Sequence, residues 1–334
     1  KDERHELYKE YLNVISSHEP AVFVMENVQG ILSSKAKSGK QDTIIRKIIK
    51  DLENPRENLS YGLVPLIQDE QKNFFYYEPK NFLIHSNEFG VPQTRNRVII
   101  VGFKKNLLKK HNNFLSRSKT PTIEDIIGDL PKLRSSISKR EKIEDTYQNW
   151  KKILNDFSKE FFINNKEKKE YVKTSKIIKE SISKINKMTS NFDNIKSNQT
   201  LNYYKDWFED KSINYPLNHE PRSHIIEDIK RYFYASNFAQ ETNISPKLEH
   251  FPFELLPNHK NINKDDMPNT IFKDRFRVQL SSKPATTITS HISKDGHYFI
   301  HYDPTQARTL TVREAARIQT FPDNYFFEGP RTEQ

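Results

Sequence analysis

Three groups of residues in this chain have the types and spacing to do chemistry. The first is Glu26-Asn27-Val28, which follows directly on the apolar run Val22-Phe-Val-Met25. A carboxyl at the end of a buried strand is partly stripped of water, which favours its protonated form, and a protonated carboxyl can donate a hydrogen bond to a ring nitrogen. A solvated loop acid is the competing reading, and the tripeptide alone does not decide. The second group is Gln93-Thr-Arg-Asn-Arg97. In an extended segment Gln93, Arg95 and Arg97 point to one face. Two guanidiniums on one face suit a carboxylate, a phosphate or a base carbonyl; a pair of solvated arginines beside a strand is the alternative. The third is the run from Arg308 to Asp323, in which Arg313 and Arg317 lie four apart. Such a helix face can bind phosphates, or remain an ordinary solvated face paired with Glu314. His219, His224, His291, His297 and His301 raise the question of a metal, but with no cysteine and no tight His/Asp spacing the expectation is packing and phosphate contacts.

These groups need elements to hold them. Residues 3–18 have helical periodicity, with Leu7, Tyr11, Val14, Ile15 and His18 toward one face and Pro20 as the stop. The run 21–25 reads as a buried strand, which places Glu26 where open α/β sheets put ligand-handling groups. Asp42 is a candidate cap for a helix whose inward residues are Ile44, Ile45, Ile48, Ile49 and Leu52. Residues 54–73 read as loop, 73–86 as two strand-like pieces, and Val98–Phe103 as a second buried strand. This alternation predicts the ending of a doubly wound α/β domain. Beyond residue 104 the chain turns basic and loop-like. Thr122-x-x-Asp begins a short capped turn. Residues 136–200 read as exposed helices with loops, a partly disordered insertion being the alternative. Residues 223–239 form an amphipathic helix. Alternation on both sides of Asp295-Gly296 predicts a β-hairpin over 284–302. Thr311-Val-Arg-Glu314 is a capping box that starts a helix ending near Gln319.

The composition narrows the field. Among 334 residues, 54 lysines and arginines face 44 acids, a net charge of +10, which suits a polyanionic partner or a solvated lysine-rich surface equally. No apolar run approaches the roughly 20 residues a membrane span needs, and residues 1–18 are too charged for a signal peptide. With no cysteine, these residues hold no disulfide, no thiolate zinc site and no cysteine nucleophile.

Taken in order, the three groups resemble the DNA cytosine-5 methyltransferase family. Phe23–Leu32 is similar to its Glu-Asn-Val block, Phe89–Val98 to its Gln-x-Arg-x-Arg block, and Arg308–Asp323 to its late block. Thr287-Ile288 resembles the Thr-Leu or Thr-Val pair of its recognition region. The resemblance implies an α/β fold: the C-terminal part of a doubly wound, Rossmann-like methyltransferase domain (1–105), a mixed α+β target-recognition region (106–305), and a late block returning toward the catalytic domain (306–334). It implies Glu26 at N3 of a flipped cytosine, Arg97 at O2 and Arg95 helping to hold the site. Asn27, Val28 and Gln93 would shape that site, and Thr287, Arg308 and Arg313 would face DNA. Implied too are S-adenosylmethionine as donor, double-stranded DNA as partner, a bacterial cytoplasmic setting and a monomer. The family's Gly-rich cofactor loop, Pro-Cys nucleophile loop and last Asn-bearing block are not in these residues. The expectation is therefore a fragment, inactive alone; a DNA-binding module or a split enzyme with a catalytic partner chain is the alternative.

Overall fold

Every backbone N–H and C=O in an apolar strand needs a partner, and the run at 22–28 finds its partners at 96–104. The computed structural model describes residues 7–34, 43–67, 78–108, 114–186, 188, 190, 203–258, 273–294, 296–330 and 333. In chain order the elements are α1 (Leu7–His18), β1 (Val22–Val28), α2 (Ile44–Glu53), β2 (Tyr61–Val64), β3 (Leu83–His85), β4 (Gln93–Thr94) and β5 (Asn96–Lys104). There follow α3 (Ile123–Ile127), β6 (Ser136–Ile137), α4 (Tyr147–Asn165), α5 (Val172–Lys184), α6 (Lys205–Phe208), β7 (Ser223–His224), α7 (Ile226–Thr242), β8 (Ala285–Thr286) and α8 (Val312–Ile318). The chain divides into two compact units, Lys1–Gly90 with Thr94–Thr120, and Val91–Gln93 with Pro121–Gln334. Residues 306–334 fall within the second of these units.

In the first unit β5 is central. β1 lies along one side of it, with Glu26 opposite Ile99 and Val28 opposite Arg97, while β2 and β3 share the other side. All three pairings are antiparallel, and with the covering helices they make a mixed α/β unit. β2 falls in the stretch read as loop. α1 and α2 cover one face: Ile15, Ile44, Ile45, Ile48 and Leu52 pack with Phe23, Tyr61, Phe82, Val98 and Ile100. The inward side of α1 is Tyr8, Tyr11, Leu12 and Ile15; Leu7 and Val14 are exposed, so the helix is turned from the face expected. Gly102 stands opposite Phe23, and a Cβ there would meet the Phe23 ring at 2.2 Å. Only glycine lets that ring lie on the strand and reach Tyr61, edge-on at 5.0 Å. The other face of β1 carries Val22, Val24 and Val28, all exposed, together with Glu26. β1 is therefore a half-exposed strand, not a fully buried one.

The second unit has a helical core. Trp150, Leu154, Phe157 and Phe161 of α4, Ile178 of α5, and Ile229, Phe233 and Tyr234 of α7 are buried together. Phe157 and Phe161 of the 136–200 stretch thus lie in a core and Ile153 packs against it, while Ile143, Phe162, Ile163 and Val172 are exposed; residues 191–202 lie outside the described residues. A second cluster joins α3 and α8 to Ala285, Ile288, Phe299 and Leu310. Both capping boxes form. Thr122 N–H donates to Asp125 at 2.8 Å and Asp125 N–H to the Thr122 hydroxyl at 3.2 Å; Thr311 and Glu314 do the same at 2.7 and 3.2 Å.

The hairpin at 284–302 does not form. Helical turns occupy 290–293 and 296–298, and Ile300 bridges to Val278 and Thr309 instead of to a local partner. Asp295 lies outside the described residues. Among the described residues no helix is long and apolar enough to cross a membrane.

Candidate active site and recognition core

The register of β1 on β5 decides the first site. It places Val28 directly across from Arg97, so Glu26 and Arg97 lie diagonally across two strands, within reach of long side chains. Glu26 Oε1 is 2.5 Å from Arg97 Nε. That Nε–H has no hydrogen-bond acceptor, so the contact is ionic rather than a directed hydrogen bond. Arg97 Nη1 donates to the Asn96 carbonyl at 2.8 Å, which tethers the guanidinium to its own strand. The Glu26 side chain is 52% exposed and that of Arg97 is 19% exposed. Glu26 is thus half in water, not desolvated as the apolar run predicts.

Around this pair the smaller residues set backbone and loop. Asn27 Oδ1 accepts the Val28 N–H at 2.8 Å. Asn96 Nδ2 donates to Gln29 Oε1 at 3.1 Å, joining the end of β1 to the start of β5. The Arg95 N–H donates to the Ser86 hydroxyl at 3.1 Å, while its guanidinium makes no hydrogen bond or ion pair with another described residue. One arginine is therefore tethered and one is free to meet a ligand. Gln93 does not join this pair. It is buried in the second unit, where its Oε1 accepts the Ile288 N–H at 2.9 Å.

The late block is a buried polar core, and this corrects two expectations. Arg308 and Arg313 have no solvent-exposed side-chain surface and cannot present themselves to DNA. Arg308 meets Glu314 with both Nη atoms at 2.7 Å; its other donors go to Gln306 and to the Leu133 and Thr309 carbonyls. Arg313 donates to the carbonyls of Leu217, Pro322 and Tyr325, pinning the segment after α8. Arg317 binds both oxygens of Asp323 and one of Asp129. α8 is buried nearly all round, because Ala315 and Ala316 let its neighbours approach, so its arginines turn inward to carboxylates and carbonyls. Thr287, the third residue expected to face DNA, is half-buried.

Two histidines complete this core. His219 Nε2 lies 2.8 Å from the Pro131 carbonyl and therefore carries the proton; Nδ1 then accepts from the Thr311 hydroxyl at 3.0 Å. His301 Nδ1 accepts the Asp303 N–H at 3.0 Å, which turns Nε2 toward Glu314 at 3.5 Å. Complete burial lowers both to about 4. Burial alone would raise the Glu314 carboxyl, but the Arg308 pair outweighs it and holds the group well below the usual carboxylate range. His224 lies edge-on to Tyr232 at 4.9 Å, and His297 bonds the Tyr232 hydroxyl at 2.7 Å. Among the described residues no three His, Asp or Glu side chains group to hold a metal ion. Asp129 and Asp323, which complete the arginine core, carry no signal in the sequence beyond the Phe-Pro-Asp spacing.

The chain is a member of the C-5 cytosine-specific DNA methylase family, whose model matches residues 1–334. It is 31% identical over 338 residues to the type II methyltransferase M.Bpa9945I of Bacillus paralicheniformis, covering all of this chain and 60% of that protein. It is 25% identical to the type II methyltransferase M.DdeI of Desulfomicrobium norvegicum, covering 99% of this chain and 60% of that protein. It is 24% identical to the DNA (cytosine-5-)-methyltransferase M.ApeKI of Aeropyrum pernix, covering 99% of this chain and 70% of that protein. The chain thus spans 60% of the length of the first two relatives.

Proposed function

We propose that this chain is the cytosine-holding and DNA-reading part of a methyltransferase that transfers a methyl group from S-adenosylmethionine to C5 of a cytosine in a specific duplex sequence. The observation that carries this is the Glu26–Arg97 pair, 2.5 Å apart at the strand ends and open to solvent, with the Arg95 guanidinium free close by in sequence. Cytosine presents N3 and O2 side by side as acceptors. Glu26 faces N3 and Arg97 donates to O2, so the two groups stabilise charge as it builds on the ring. Thiolate addition at C6 is what makes C5 nucleophilic, and its charge is met at N3 and O2. The base must leave the stack to reach such a site.

With no cysteine in 334 residues, the thiolate has to come from polypeptide beyond these residues. Among the described residues beside Glu26, Gln29 is bonded to Asn96 and Asn27 to the Val28 N–H. We therefore read this chain as inactive alone. The type II relatives support a restriction-modification setting; a bacterial cytoplasm and a monomer on duplex DNA complete the proposal. The same lack of cysteine fits a split enzyme whose catalytic chain is separate.

The test is bisulfite sequencing of DNA from cells expressing this chain alone, the full-length protein, or this chain with its neighbouring coding sequences. Protected cytosines in one sequence context, seen only when a Pro-Cys loop is supplied, are expected. Methylation by this chain alone, or a covalent adduct of it with 5-fluorocytosine DNA, would refute the reading. A neighbouring gene that restores methylation in trans would favour the split enzyme.

A further inference from the structure

One residue ties the two halves of the candidate site together. Asn96 opens β5, and its carbonyl accepts a hydrogen bond from Arg97 Nη1 at 2.8 Å. Its side chain donates from Nδ2 to Gln29 Oε1 at 3.1 Å. Gln29 follows Val28, the last residue of β1 paired with β5, and there the chain turns off the sheet into the helical turn Gln29–Leu32. Three residues back along β1, Glu26 Oε1 returns to Arg97 Nε at 2.5 Å. Glu26, Arg97, Asn96 and Gln29 thus close a ring around the end of the strand pair, joined by one ionic contact, two hydrogen bonds and the backbone of β1.

The ring sits where it has most effect. Strand ends open more readily than strand centres, because no further rung lies beyond them. Glu26 and Arg97 belong to the last rungs of β1 on β5, so their spacing follows any parting of the two strands there. Asn96 and Arg97 are neighbours on one strand, so their side chains stand on opposite faces of the sheet. The carboxamide bond therefore lies behind the Glu26–Arg97 face and leaves that face open to a base. Catalysis by two groups that meet N3 and O2 side by side is sensitive to their spacing: a displacement of about 1 Å caused away from the chemistry can cost about 10²-fold in rate.

We infer that the Asn96–Gln29 hydrogen bond sets the spacing of Glu26 and Arg97, so that Asn96 is a positioning residue for the pair that holds the cytosine. This rests on the reading of Glu26 and Arg97 as the groups that meet a flipped base. The mechanism is indirect. Asn96 holds the Arg97 guanidinium through its carbonyl and the end of β1 through its side chain, and touches no base itself.

The test measures the single-turnover methylation rate of the full-length protein at saturating duplex DNA, with DNA affinity and thermal midpoint recorded for each variant. Asn96→Leu and Gln29→Met keep the side-chain shapes and lose the bond; Asn96 is half-buried and Gln29 exposed, so neither change opens the core. Each is expected to lower the rate about threefold to tenfold, the scale of one neutral hydrogen bond, with DNA affinity unchanged. Combined, they should cost no more than either alone, since both remove the same bond. The exchanged pair, Gln29→Asn with Asn96→Gln, restores both carboxamides and should recover the rate. In a Glu26→Gln background, Asn96→Leu should cost less than it does in the wild type, because the spacing it protects has already lost its carboxyl. A purely structural role lowers the midpoint and the fraction of active protein and is indifferent to the residue at 26. An unchanged rate in Asn96→Leu, or an equal loss in both backgrounds, overturns the assignment. Absence of any cytosine methylation by the wild type would instead remove the functional reading beneath it.

Discussion

Each unit contains an Arg–Glu pair, and the same chemistry has been put in two settings. Arg97 and Glu26 meet through one ionic contact at strand ends, with the carboxylate half in water. Arg308 and Glu314 meet through two hydrogen bonds inside the protein, and every remaining guanidinium donor has an acceptor. A pair open to solvent adds little to stability and can be parted by a ligand that satisfies both partners. A buried, fully satisfied pair cannot be parted without stranding a charge. The first arrangement suits a site, and the second suits a scaffold.

The contrast breaks if the buried pair proves dispensable. Glu314→Gln leaves the Arg308 charge buried without its counter-charge and should destabilise the second unit by about 3–5 kcal/mol in denaturant unfolding. A loss below about 1 kcal/mol would make the two pairs equivalent. Acid probes the same core. His219 and His301 sit at about 4 when folded against an ordinary value of 6.5, so the unfolded chain takes up their protons first. The stability they contribute is complete above about pH 6.5 and drains away as pH falls toward about 4, by up to roughly 1.4 kcal/mol per pH unit for each histidine. Unfolding free energies at a series of pH values should show that slope, reduced in His219→Gln; a flat profile would remove the buried neutral histidines from the account.

In the first unit the sensitive point is packing, not charge. Gly102→Val drives a side chain into the Phe23 ring and should cost about 1–3 kcal/mol by the same measurement. Glu26→Gln should be the mildest, shifting stability by less than about 1 kcal/mol. A larger loss would make Glu26 part of the scaffold.

Much of this contrast was written in short-range patterns, and the rest was not. The capping residues Thr122 and Thr311 act on groups three residues away, so their boxes are visible in sequence. The inward residues of α2 follow from helical period. What failed depends on distant partners. The strand Tyr61–Val64 is short and holds a glycine, and only its pairing with β5 makes it a strand. The hairpin at 284–302 had the right alternation, but Val278 and Thr309 compete for Ile300. Arg313 and Arg317 four apart look the same whether a helix is wet or buried; Asp129, Asp323 and the carbonyls that turn them inward are far away or carry no side-chain signature. Glu26 and Arg97 were legible as residues, whereas their 2.5 Å contact needed the register of β1 on β5.

The most direct test of the contrast is the single-turnover methylation rate of Glu26→Gln in the full-length protein, measured beside its affinity for duplex DNA. Losing the group that meets charge at N3 should lower the rate by about 10²–10³-fold, with affinity changed far less. A rate equal to the wild type's would contradict the assignment of Glu26 to the site.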